Sequence, residues 1–554
     1  MIGLWDAATG EAIGADWLQA ELAPAGDFGR RARGSERPLR RGDEARARSD
    51  IGRVAAVARE VDAGRLGALR SALAAAPDPG ALLARAAGGG VLDDVDFFEL
   101  SRFLESIGEI ALLASDAAFD DYRPKDIDGG LRAELERGRT AARSFYLDDA
   151  YAPDLAIARE RSRAAQAAFD VARSRVAERA ARYAGVESLH DGEFVLLRDR
   201  LTGPVPPEIR IVREAPTYLL CELALDDEAR QAQAQRDAAA ARVADAEEAV
   251  RARLSERVAV VASALERGCE ALGALDLLVA RVLFAQRHAC VVPEIVERAE
   301  IAFEEARYLP LGTALTERGR AYRPLTLQLI GVGVVTGPNM GGKTAALRTV
   351  GFLAACVASG VPVPARTARV PLLDEIAWLG IGAAPASDGL LSTFASEIVD
   401  VAAVLQRRAS RALVLADEFA RTTSPREGRA LLVALLATLR SRGSLALGST
   451  HFERVAEAAA ASHYATGIVA AFADDEATLG LDAALQRIAQ AMDYRLRPVT
   501  ADARPSAAAL ALAGVLGLDR DVLERARAEY DENLHGPRDT CGPSRRKHRL
   551  GATD

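Results

Sequence analysis

The chain has 554 residues and a formal net charge of −9; 49% of it is apolar and only 5% aromatic. That length exceeds one ordinary core, so two or three domains are expected. The acidic balance argues against a chain-wide basic surface and leaves room only for local basic patches. Five cysteines, Cys221, Cys269, Cys290, Cys356 and Cys541, show no CxxC spacing. They read as reduced thiols of a cytoplasmic protein, not as a disulfide frame or zinc site. The opening MIGLWDAATGEAIG lacks the basic n-region and long apolar core of a signal peptide. No apolar run reaches the ~18 residues of a membrane span, so no membrane partner is expected.

Residues 1–44 mix Gly and Pro with a close set of arginines, Arg30, Arg31, Arg33, Arg37, Arg40 and Arg41. They are expected to form a basic, solvated arm. From 45 to 320 helical periodicity dominates; Phe97, Leu100, Leu104, Ile107 and Ala111, for example, share one face. Inside this region, residues 191–225 hold the short β-rich runs FVLLRD, IRIVRE and TYLLCEL between Pro- and Gly-containing breaks, which predicts a small strand insert. In a helical stretch from about 226 to 288, Val243, Val250, Leu254, Val258, Val261, Leu265, Cys269 and Leu272 then repeat at near-heptad spacing, which predicts a helical hairpin or lever. Across 321–530 the pattern alternates strand, loop and helix, an α/β domain. The Gly/Pro-punctuated basic tail 531–554 is expected to be disordered.

The most informative stretch is GVGVVTGPNMGGKTAALRTVGFLAACVASG. An apolar strand (Val332 to Thr336) runs into Gly337, Pro338, Asn339, Met340, Gly341, Gly342, Lys343 and Thr344, and then into a helix. This is a phosphate-binding loop in the context it requires, and it predicts ATP and Mg²⁺ as cofactors. Its glycines let backbone N–H groups converge on phosphate oxygens, and the helix N-terminus adds partial positive charge. Lys343 is expected at the β- and γ-phosphates and the Thr344 hydroxyl on the metal. Lysine occurs only at Lys125, Lys343 and Lys547. Where arginine supplies the positive charge everywhere else, a lysine in this loop marks the need for a compact ammonium. Farther along, the apolar run from Ala412 ends in Asp417 and Glu418. Asp417 is the expected second metal-site residue, and Glu418 the group that orients or deprotonates the attacking water.

The words around these motifs resemble the MutS mismatch-repair family. TGPNMGGKT is similar to its P-loop, Leu391 to Glu397 to its STF-x-x-E signature segment, and DEFARTTSPREG to the loop after its acidic pair. Ser449-Thr450-His451-Phe452 sits where the family has its switch histidine, and SAAALALAGVLGLDRDVLERAR resembles its C-terminal pairing helices. The match spans roughly 322–530. It implies an α/β P-loop ATPase domain of ABC type, preceded by a mostly helical lever or clamp domain with a small β insert. It further implies a homodimer or MutS-like heterodimer in which Ser392 contacts the partner's nucleotide in trans and His451 senses the γ-phosphate. Read without the resemblance, Ser392 is a helix cap and His451 a strand-end histidine.

The family's GRG is replaced here by Ala420-Arg421-Thr422, which stiffens the loop. No mismatch-reading N-terminal domain and no C-terminal Smr nuclease domain are expected. Phe97-Phe98-Glu99 has the letters of a mismatch wedge but falls in an amphipathic helix, where Phe97 reads as core. Two loads are compatible with this engine. One is DNA, gripped by a MutS-like clamp. The other is a cobalamin-dependent lysine 5,6-aminomutase, remodelled by a reactivating factor whose ATPase subunit the ARTT-type loop resembles.

Overall fold

The computed structural model describes residues 3–123, 129–137, 144–189, 193–201, 203–338, 341–380, 393–468, 492–499, 510, 513–514 and 516–535. The chain divides into two compact units. One comprises Met1–Pro24, Ser35–Leu66 and Leu277–Asp554, and the other Ala25–Gly34 and Gly67–Asp276. This division differs from the expected boundaries at 44 and 320, because segments distant in sequence share a core.

The second unit is mainly helical. Its helix Asp94–Leu113 starts with a reciprocal capping box between Asp93 and Asp96 and buries Phe97, Leu100, Phe103, Leu104, Ile107 and Ile110. Phe97 is fully buried, with its ring centroid 5.4 Å from that of Phe145; it is a core residue. The long helices Pro153–Ala184 and Asp227–Arg287 flank the insert in sequence. The latter buries Val250, Leu254, Val258, Leu265 and Leu272 at the expected spacing. Between them lie strands β1 (Phe194–Leu197), β2 (Ile209–Glu214) and β3 (Tyr218–Leu223), an antiparallel sheet in the order β1-β3-β2. Alternation puts Leu196, Ile209, Leu219 and Cys221 on its inner face with Ala180.

Among the described residues the other unit holds ten strands: β4 (Glu294–Val296), β5 (Glu300–Ala306), β6 (Leu325–Ile330), β7 (Val332–Thr336), β8 (Thr367–Pro371), β9 (Glu375–Gly380), β10 (Ala412–Asp417), β11 (Leu445–Ser449), β12 (Ser462–Ile468) and β13 (Met492–Pro498). A four-stranded sheet has the order β4-β8-β5-β6, and a six-stranded sheet the order β13-β12-β7-β11-β10-β9. In the larger sheet all neighbours are parallel except β13, which is antiparallel on β12. Sequence texture follows placement: every residue of β10 (ALVLAD) is buried, as in a parallel sheet covered on both faces, whereas β6 (LTLQLI) alternates buried and exposed. Helix Lys343–Ala358 buries most of its length in a core that also holds Leu327, Leu329, Leu413 and Leu415, residues of both sheets.

Residues 3–44 depart from the solvated arm expected of them. Helices Ala7–Ile13 and Ala15–Glu21 bury Leu4, Ile13 and Leu18 in the core around helix Lys343–Ala358. Leu4 O accepts from Ile376 N–H at 2.8 Å, and Thr9 Oγ1 from Trp378 N–H at 3.1 Å, so this segment covers the edge strand β9. Of the arginine cluster, Arg30 pairs with Asp27 and Arg31 with Asp78; these charges are spent internally. At the other end, residues 520–535 are helical, and the remainder of the expected basic tail lies outside the described residues.

Candidate nucleotide-binding site

Three parallel strands, β7, β11 and β10, are adjacent, and their carboxyl ends deliver the residues singled out by the sequence. Ligand sites of open α/β sheets gather at such strand ends. After β7 the chain turns at Gly337, whose φ of 142° and contact with Thr466 admit no side chain: a Cβ would lie 2.6 Å from Thr466 O. Gly341 N–H bonds Pro338 O at 3.1 Å, and Gly342, with φ 89°, is the N-cap of helix Lys343–Ala358. Asn339 and Met340 lie outside the described residues, as does Ser392.

Lys343 is 5% exposed. Its Nζ lies 2.9 Å from Gly337 O, 3.0 Å from His451 Nε2 and 3.6 Å from Glu418 Oε1. Burial depresses its basicity, with Glu418 and Asp417 opposing the shift. Thr344 Oγ1 donates to the Asp417 carboxylate, 2.9 Å from Oδ2 and 3.1 Å from Oδ1, and Ser449 Oγ donates to Asp417 Oδ1 at 2.6 Å. Among the described residues no group of three or more His, Cys, Asp or Glu gathers for a metal. The hard oxygens of Thr344 and Asp417, side by side, are the donor type that suits Mg²⁺, which keeps most of its waters in sites of this kind.

Glu418 has φ 51° and is held by two acceptors on Ser449: its N–H lies 3.0 Å from Oγ and 3.2 Å from the carbonyl. Its carboxylate meets His451 Nε2 at 2.9 Å and Arg421 Nη1 at 2.8 Å. Burial pushes this carboxyl up, but the His451 hydrogen bond and the charges of Lys343, His451 and Arg421 outweigh it and leave it below the usual range. His451 Nε2 faces an ammonium that only donates and a carboxylate that only accepts, so its tautomer decides which of the two it serves.

Several neighbours of the site carried no sequence signal. Gly380, ending β9, has φ 114°, and a Cβ there would overlap Asp417 O. The Tyr494 ring on β13 lies against the P-loop, 3.4 Å from where a Gly342 Cβ would stand. His463 Nε2 is 2.8 Å from Thr336 Oγ1, and burial lowers the basicity of that imidazole. Glu397, buried in helix Thr393–Arg407, accepts from Ala420 N–H at 2.8 Å; burial raises its carboxyl pKa and the Ala420 bond opposes this. Only Glu397 stood in a quoted motif, and with no role attached.

Fold and site together define a mixed α/β protein whose strand ends gather a glycine loop, a buried lysine and paired carboxylates. The family model for MutS domain V matches residues 333–531, a span that contains all of these. The chain is similar to proteins named Endonuclease MutS2. That of Thermomicrobium roseum is 32% identical over 416 residues, 72% of this chain and 49% of the relative. That of Geobacillus kaustophilus is 30% identical over 274 residues, 49% and 32%. That of Agathobacter rectalis is 31% identical over 216 residues, 38% and 26%. The chain belongs to the MutS family, and it spans half or less of the length of these relatives. No helix among the described residues is long and apolar enough to cross a membrane.

Proposed function

We propose that this chain binds and hydrolyses ATP with Mg²⁺ in paired ATPase domains and couples that cycle to DNA binding. The observation that carries the reading is the gathering of two linked sets at the ends of β7, β10 and β11: Lys343 and Glu418, each within hydrogen-bonding distance of His451, and Thr344 hydrogen-bonded to Asp417.

Backbone N–H groups of Gly337, Gly342 and Lys343 would hold phosphate oxygens at the helix N-terminus, with Lys343 Nζ supplying the point charge. Thr344 and Asp417 would hold Mg²⁺, which neutralises charge developing on the transferred phosphoryl group. Glu418, kept ionised by its cationic neighbours, orients the attacking water and accepts its proton as the bond from the terminal phosphorus to the bridging oxygen breaks. His451 fixes the Glu418 rotamer when Nε2 carries the proton, and contacts the same phosphate region beside Lys343. Ser392, outside the described residues, is assigned to the partner's nucleotide on the family resemblance.

The DNA load is supported by the relatives' name, an endonuclease, and by family membership. The decisive measurement is steady-state ATPase activity of the purified chain, alone and with homoduplex, mismatched and branched DNA, at several salt concentrations. Lys343→Ala serves as the blank. A Lys343-dependent rate that responds to DNA, with a response that fades steeply as salt rises, is the expected result. A Lys343-dependent rate indifferent to every DNA would reject the DNA load and return the protein-remodelling alternative, with a cobalamin-dependent aminomutase as the next substrate tried.

A further inference from the structure

Glu397 is one turn into helix Thr393–Arg407 and 7% exposed. The hydrogen bond its Oε2 accepts from Ala420 N–H, 2.8 Å long, joins that helix to the loop following β10. Ala420 is fully buried with φ 61°; it lies two residues after Glu418, with φ 51°, and one before Arg421, which ion-pairs with Glu418. The turn that aims the Glu418 carboxylate therefore passes through two non-glycine residues in the left-handed region, a conformation that persists only where surrounding contacts fix it. Ser449 fixes one end through Glu418 N–H, and Glu397 fixes the other through Ala420 N–H. The loop is boxed in on a further side, since a Cβ on Gly428 would stand 2.7 Å from Ala420 O. The helix itself is anchored through Phe394, Ile398, Val401 and Leu405, which pack with Phe419, Ala420 and Leu432.

We propose that Glu397 is a positioning residue for Glu418: it ties helix Thr393–Arg407 to the turn that aims the water-activating carboxylate. A shift of that helix then alters the hydrolytic step and leaves the phosphate cradle of residues 337–344 untouched. The proposal rests on the ATPase reading above and deepens it, because it makes hydrolysis at a site answer to whatever engages this helix.

The test uses the full-length chain as wild type, Glu397→Ala and Glu397→Gln, measuring MgATP turnover and the binding of a non-hydrolysable ATP analogue. Alanine is expected to lower kcat about 10- to 100-fold, as loss of a buried supporting hydrogen bond does, while analogue affinity stays unchanged. Glutamine, whose amide oxygen can still accept from Ala420 N–H, is expected to restore most of the rate. Parallel loss of analogue binding and turnover in Glu397→Ala, or a glutamine variant as slow as alanine, would overturn the proposal. If the alanine variant does not fold, Glu397→Asp retracts the acceptor by one methylene and is expected to show the same selective fall in kcat. A wild-type kcat in Glu397→Ala, with hydrolysis still Lys343-dependent, sinks this proposal alone. Absence of Lys343-dependent hydrolysis in the wild type sinks the ATPase reading and this proposal with it.

Discussion

At the scale of single residues, the site is a small charge-balanced cluster in which each group sets the state of the next. Glu418 is held below its ordinary carboxyl range against the effect of burial, with the His451 hydrogen bond the largest counterweight, followed by the charges of Lys343, His451 and Arg421. A depressed carboxyl stays ionised to lower pH, so the rate is expected to fall only as pH drops through that lowered value. Arg421→Ala removes one of the counterweights; its acidic limb is expected at higher pH than the wild type, read from kcat against pH. Glu418→Gln keeps the side chain's shape and removes the proton acceptor, with an expected loss of about 10²- to 10⁴-fold in kcat and retained ATP binding. Gly380 belongs to the same scale. Its left-handed φ and the nearness of Asp417 O leave no place for a methyl group, so Gly380→Ala is expected to destabilise the fold by about 1–3 kcal/mol or more, measured by denaturant melts.

At the scale of elements, the sheet order matters more than any one strand. Residues far apart in sequence, Thr344, Asp417 and Ser449, meet only because β11 lies between β7 and β10. Helix starts do comparable work for the loop after Glu418. Ser424 caps helix Pro425–Ser441, accepting from Glu427 N–H at 3.4 Å and donating to Glu427 Oε2 at 2.6 Å. Ser424→Ala is therefore expected to cost about 1 kcal/mol of stability, seen as a lower denaturation midpoint with an unchanged m-value. A midpoint equal to wild type would show that the adjacent Pro425 alone fixes the start of that helix. The substitution of Ala420-Arg421-Thr422 for the family's glycine-containing sequence also acts at this scale. Ala420 takes up the left-handed conformation that glycine accepts without strain, and Glu397 helps to hold it there.

At the scale of the whole molecule, the expectation that each nucleotide is closed by a second ATPase domain makes activity depend on association. Specific ATPase activity is then expected to rise with protein concentration until pairing saturates, followed in parallel by sedimentation. Ser392→Ala is expected to pair normally and turn over slowly; a normal dimer hydrolysing at the wild-type rate would remove Ser392 from the reaction. In cores, the N-terminal segment shows how far the whole molecule departs from its sequence order, since Leu4, Ile13 and Leu18 share a core with helix Lys343–Ala358 and β10.

The sequence by itself determined the local motifs. The spacing of residues 337–344 after an apolar strand, and an apolar run ending in Asp417 and Glu418, each depend on a few consecutive residues, and short-range geometry dictates their form. The three-stranded insert and the buried face of helix Asp94–Leu113 were legible for the same reason, because period and pattern act within one element. Tertiary structure alone decided the pairings between elements: Ser449 on Asp417, Glu397 on Ala420, Gly380 against Asp417, Tyr494 against the P-loop, and the burial of the N-terminal helices. Arginine-rich spacing reads the same in a solvated arm and in a packed helix. Which one forms depends on apolar partners hundreds of residues away, and no local pattern encodes that distance.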